Sequence, residues 1–96
     1  MDISKLLHEK REEILAIANN HGAYNVRIFG STVRNEANEK SDIDILVSFE
    51  RGRTLIDLVS LNDELEALLD KRVQVITDGG IHPYLKDSIL SEAVAI

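Results

Sequence analysis

Asp42 and Asp44 stand two positions apart in a run that alternates in polarity, Asp42-Ile43-Asp44-Ile45-Leu46-Val47-Ser48-Phe49. Alternate residues of a strand share a face, so the two carboxylates project to one side with Cα atoms roughly 6–7 Å apart. Carboxylates that close repel each other and raise one another's pKa unless a cation sits between them. Oxygen-only ligands at a strand start suit Mg2+ or Mn2+. Ten residues separate Asp42 from the preceding dipeptide Gly30-Ser31. It follows a second apolar run, where a strand ending in a helical turn leaves backbone N–H groups free to hold a phosphate. Glycine lets the backbone approach such a ligand, and the serine hydroxyl adds a donor. Either half alone is common at solvated strand ends; the joint pattern is specific. Phosphate chemistry needs the halves to meet. One closes the first strand and the other opens the second, so those strands are expected to run antiparallel.

The elements that must position these residues follow from periodicity. Residues 2–21 carry Ile3, Leu6, Leu7, Ile14, Leu15, Ile17 and Ala18 on one side of a helical wheel, with Asp2 as cap and Gly22 as stop. Residues 24–29 read as a strand, residues 32–37 as a short helical turn and residues 38–41 as loop. The strand over 42–49 is the clearest. After a turn at 50–53, Thr54 opens a helix over 54–70 with Asp57 as its capping-box partner and a stripe of Leu55, Leu58, Leu61, Leu65, Leu68 and Leu69. A third strand spans 72–77, and Asp78-Gly79-Gly80 turns the chain. Pro83 starts a last helix that carries Leu85 and Ile89 inward. The apolar tail 93–96 is expected to dock as a short extended piece. The order helix-strand-helix-strand-helix-strand-helix gives an α/β (α+β) domain over 1–96, with a three-stranded mixed sheet flanked by helices. The long helix between the second and third strands makes that pair parallel.

The chain has 96 residues, no cysteine and a formal charge of −6. The length points to one domain, and the missing cysteines exclude disulfides and thiolate metal sites. The acidic balance argues against free nucleic acid as a partner. No apolar run is long enough to span a membrane, and the first residues lack a signal-peptide pattern, so a cytoplasmic protein is expected. His8, His21 and His82 share no ligand spacing. Tyr24 and Tyr84 read as packing residues, Arg51 and Arg53 as turn charges, and Lys40 as a weak phosphate contact. The sequence leaves open whether copies of the chain associate.

Gly30-Ser31, the ten-residue gap and Asp42-Ile43-Asp44 resemble the signature of the DNA polymerase β-type nucleotidyltransferase superfamily. The wider runs Gly-Ser-Thr-Val-Arg-Asn-Glu-Ala from Gly30, Ser41 to Val47, Gly52 to Leu58 and Glu92-Ala93-Val94 are similar to the minimal nucleotidyltransferases of prokaryotes. The resemblance covers almost the whole chain. It implies the polymerase β-like fold and transfer of AMP from ATP to a tyrosine of a helical HEPN (higher eukaryotes and prokaryotes nucleotide-binding) toxin, with this chain as antitoxin. It further implies that Asp42 and Asp44 hold divalent metal, that Gly30 and Ser31 bind the triphosphate, and that Arg34 contacts phosphate. Arg34 reads equally well as a surface partner of Glu36 or Asp42.

One position departs from the resemblance. The family places a third carboxylate on the third strand; here the run is Val73-Gln74-Val75-Ile76-Thr77, with Gln74 in its place. An amide ligates weakly and cannot serve as a base. Three outcomes stay open: a slow enzyme, a substitute carboxylate such as Asp78, or binding without catalysis.

Overall fold

A computed structural model describes residues 3–33 and 42–96. The sheet is organised by β2, Ile43–Phe49. Its odd-numbered residues Ile43, Ile45 and Val47 are each at most 1% exposed, and they meet Leu6, Leu7, Ile14, Ala18, Leu61, Leu65 and Leu69 in one core. These come from α1 (Ile3–Glu9), α2 (Arg11–Asn20) and α3 (Leu55–Leu69), which form a layer on one side of the sheet. The single helix expected over 2–21 is divided at Lys10, although Lys10 N–H still donates to Leu6 O and Ile14 N–H to Lys10 O. The break is a bend in a hydrogen-bonded rod that follows the curved core. Gly22, with φ +77°, ends α2 as expected. The cap expected at Asp2 lies outside the described residues.

β1 (Ala23–Ile28) pairs antiparallel with β2, and β3 (Val73–Thr77) pairs parallel with it. Both orientations match the expectation. The sheet has a fourth strand, however, in the order β3-β2-β1-β4. The apolar tail forms β4, Val94–Ala95, antiparallel to β1 with Arg27 opposite Ala95 and Ile28 opposite Val94. Arg11 Nε donates to Ile96 O at 3.0 Å and ties the tail to α2. The three-stranded expectation is therefore corrected to four. A two-residue strand is too short to show alternation, but it covers the free edge of β1.

β1 contains a bulge. Tyr24 faces Ser48 and Arg27 faces Leu46, so β1 carries one extra residue between these rungs, and Asn25 there has φ +53°. At α3, Thr54 N–H donates to Asp57 Oδ2 at 2.8 Å in the expected capping box. That bond first, and the Arg53 guanidinium beside it, hold the Asp57 carboxyl below its ordinary pKa. Four inward assignments fail. Leu55 is exposed, together with Ile56 and Val59, Leu85 is exposed on α4 (Pro83–Glu92), and Tyr24 and Tyr84, expected to pack, are exposed as well. Pro83 opens α4 as expected, yet α4 buries no side chain among the described residues. Its few apolar residues alternate with Lys86, Asp87 and Ser88, too sparsely to seal a helix face.

Candidate active site

The face of β2 opposite the helical layer carries Asp44, Leu46 and Ser48. In the parallel pairing Asp44 lies beside Gln74 and Leu46 beside Ile76, while Val47 lies beside Thr77, so Asp78 follows next to Ser48. On the other side, Arg27 stands opposite Leu46.

The chain after β1 folds back onto the start of β2. Gly30–Thr32 forms a 3-10 turn, and Phe29 N–H donates to Asp44 O at 3.2 Å. Asp44 N–H in turn donates to Thr32 Oγ1 at 3.1 Å. Gly30 has φ +64°, and a Cβ added there would sit 2.5 Å from Asp44 Oδ2. The residue must be glycine on both counts: its conformation disfavours a side chain, and the Asp44 carboxylate occupies the space. The sequence pattern missed Thr32. The residue is 4% exposed, and its hydroxyl accepts the backbone N–H of the central aspartate. The only signal was a hydroxyl residue directly after Gly30-Ser31.

Asp42 sits directly before β2, where its Oδ1 lies 3.7 Å from Arg72 Nε, and the next residue, Ile43, donates its N–H to Arg72 O. The antiparallel pairing thus brings Gly30, the backbone of Ser31, and Asp44 together, while the side-chain contact of Asp42 is with Arg72. The Ser31 side chain, Arg34, Lys40 and Ser41 lie outside what is described. Gln74 is exposed on the rung of Asp44. Asp78 is not a substitute for the missing carboxylate. Its Oδ2 accepts from Ser48 Oγ at 2.5 Å and lies 3.5 Å from Arg27 Nη2. Ser48 is four residues along β2 from Asp44, about 13 Å away.

Two carboxylates offer hard oxygen donors of the kind Mg2+ and Mn2+ prefer, and the Asp44 carboxylate is pressed against the turn that would receive phosphate. The residues fit a divalent cation bridging protein and phosphate. Among the described residues no group of three or more acidic, histidine or cysteine side chains converges on a metal site.

The model of the nucleotidyltransferase domain matches residues 9–96. The chain belongs to the nucleotidyltransferase domain family. It is 51% identical over 90 residues to a Methanocaldococcus jannaschii protein named "Putative protein adenylyltransferase", with 94% of this chain and 97% of that one covered. A solved structure described as a "putative minimal nucleotidyltransferase" superposes with a TM-score of 0.89 at 45% identity, covering 100% of this chain and 97% of that chain. The same fold recurs in a complex of a tri-AMPylated Shewanella oneidensis HEPN toxin with an MNT antitoxin. There the TM-score is 0.70 at 18% identity, covering 92% of this chain and 69% of that chain. The nucleotidyltransferase fold therefore accounts for the mixed sheet.

Proposed function

We propose that this nucleotidyltransferase transfers AMP from ATP to a protein hydroxyl, using Mg2+ or Mn2+ at Asp42 and Asp44. Its acceptor is a HEPN-type toxin, and the chain acts as the cytoplasmic antitoxin of the pair. The observation that carries the reading is the joint between Asp44 and the Gly30–Thr32 turn. There the Asp44 backbone is tied by two hydrogen bonds, Phe29 N–H to its O and its own N–H to Thr32 Oγ1, while its carboxylate lies against Gly30. The names borne by its relatives support a protein acceptor, and the HEPN–MNT complex among its structural neighbours supports the partner class.

In this reading Gly30, Ser31 and Arg34 hold the triphosphate. Thr32 fixes the backbone of Asp44, so its carboxylate is oriented before any ligand arrives. A cation bound by Asp42 and Asp44 supplies neutralisation of the triphosphate and of the departing pyrophosphate. The protein's share is to align the α-phosphate for in-line attack by the acceptor oxygen. The exposed rung position of Gln74 beside Asp44 leaves that edge of the site open for a partner to deliver that oxygen.

A second reading is favoured by one observation. Gln74 occupies the rung beside Asp44, where a carboxylate would complete the set. An antitoxin with weak or no transfer would then neutralise its partner by binding. Transfer of α-labelled ATP with Mg2+, with and without a HEPN-type helical protein, separates the two readings. Label on the partner, reduced about 10²–10³-fold in Asp42→Asn/Asp44→Asn, supports transfer at this site. Undiminished transfer in the double variant refutes the site. A tight complex without label selects the second reading.

A further inference from the structure

One cluster on the same sheet face has no role in the proposed chemistry. Arg27 reaches from β1 across β2, where its Nη2 donates to Ser48 Oγ at 3.3 Å and lies 3.5 Å from Asp78 Oδ2 beyond β3. Its side chain is only 15% exposed. We propose that Arg27 is a phosphate-binding residue of the nucleotide site, and that Asp78 is the counter-ion that holds it until the nucleotide binds. The inference rests on the nucleotidyl-transfer reading and adds a binding residue to it.

Placement is the first support. Arg27 stands opposite Leu46, one same-face step (about 6–7 Å) from the rung of Asp44, and three residues before Gly30. The guanidinium already touches Asp78, and the Gly30–Thr32 turn begins about 10 Å ahead of its Cα along the chain, so a phosphate between the two comes within its reach. The present contacts are the second. The two side-chain contacts of the guanidinium are made through one nitrogen, at 3.3 and 3.5 Å, whereas Asp78 is bonded to Ser48 at 2.5 Å. Asp78 keeps its main partner when Arg27 leaves. A guanidinium prefers paired donors on one anion, and phosphate offers that geometry.

The bulge is the third support. Asn25 adopts φ +53° in the extra position of β1, and Arg27 Nε donates to Asn25 O at 3.0 Å. A left-handed asparagine is a local cost, and bulges re-aim side chains. Here the re-aimed side chain is the basic residue of β1 on the face of Asp44. Charge is the fourth. A chain of formal charge −6 must gather cations to hold a triphosphate. The neighbouring Arg72 is already placed against Asp42.

The alternative is a static strap that merely ties β1 to the end of β3. The two roles differ in sign. Binding of Mg2+ with α,β-methylene ATP, which cannot be cleaved at the reacting bond, is measured by calorimetry on the full chain. Arg27→Gln should weaken it about tenfold, Arg27→Lys should recover part of the loss, and adenosine should bind all variants alike. Asp78→Asn should tighten the analogue about threefold or more, because the guanidinium is released. In the Arg27→Gln background Asp78→Asn should change little, which separates release of Arg27 from the general effect of removing an acidic charge. Weakening by both single variants, or equal tightening by Asp78→Asn in both backgrounds, overturns the proposal. Should Arg27→Gln fail to fold, the same cycle is run on Arg27→Met, which keeps the apolar stem and removes the charge. Wild-type protein that binds no analogue removes the nucleotidyl-transfer reading itself. Wild-type binding with Arg27→Gln unchanged removes only this inference.

Discussion

The two faces of β2 obey different rules. On one, Ile43, Ile45 and Val47 are closed off by three helices, and each could be replaced by another apolar residue of similar volume with modest loss. On the other, Asp44 and Ser48 each depend on particular atoms of a neighbouring segment, Thr32 Oγ1 and Asp78 Oδ2. The helix-covered face stores stability and tolerates variety. The opposite face holds geometry and tolerates little. A single strand of seven residues serves both because its side chains alternate.

Ile45→Ala tests the first face with the largest effect on stability. The residue is 1% exposed, and truncation should cost about 2–5 kcal/mol in denaturant unfolding. Activity should fall only with the folded fraction; a fall in specific activity of the folded protein would mean that the faces are not separable. Thr32→Val comes next. It keeps the shape and leaves Asp44 N–H buried without its acceptor, a loss of about 1–3 kcal/mol. Unlike Ile45→Ala it should also lower transfer by the folded protein, measured as initial rate per folded molecule. Gln74→Asp touches the opposite face alone. It should raise Mg2+-dependent transfer several-fold at nearly unchanged melting temperature, and an unchanged rate would show that position 74 is not part of the metal set.

The smallest effect belongs to Asp57, which lies on neither face. Its pKa is lowered in the folded chain by the Thr54 N–H bond and Arg53. A depressed carboxylate contributes stability above its unfolded pKa, about 3.9, and loses it as pH falls through the lower folded value. Asp57→Asn should therefore flatten a small part of the stability loss below about pH 4 and leave stability-versus-pH unchanged above pH 6. A slope difference near neutrality would contradict the assignment.

The contrast between the faces also explains what could be read in advance. Alternation in 42–49 marked Ile43, Ile45 and Val47 as core, and the requirement that Gly30 meet Asp44 predicted the antiparallel pairing before any packing was considered. Thr54 with Asp57, and Pro83 at a helix start, are local signals with local causes. Periodicity reports which residues share a face, but not whether anything covers that face. Leu55 and Leu85 were placed inward for that reason and are exposed. The bulge at Asn25, the role of Thr32 and the reach of Arg27 depend on segments distant in sequence, so composition carries no trace of them. Arg34, named with the phosphate site, lies outside the described residues. Asp78 is a candidate in the sequence because it directly follows the third strand; the register sends it to the far end of that strand.

The parallel register of β2 and β3 has an implication for quality control. If β2 slipped by one position, Asp44 would turn into the helical layer and Ile43 and Ile45 would turn outward. Burying an unpaired carboxylate and stranding two isoleucines makes that isomer far less stable than the native one. The error that would disarm the site is thus the same error that would prevent folding. A population of folded molecules contains no fraction with the aspartates facing the wrong way, and no separate proofreading of the site is needed.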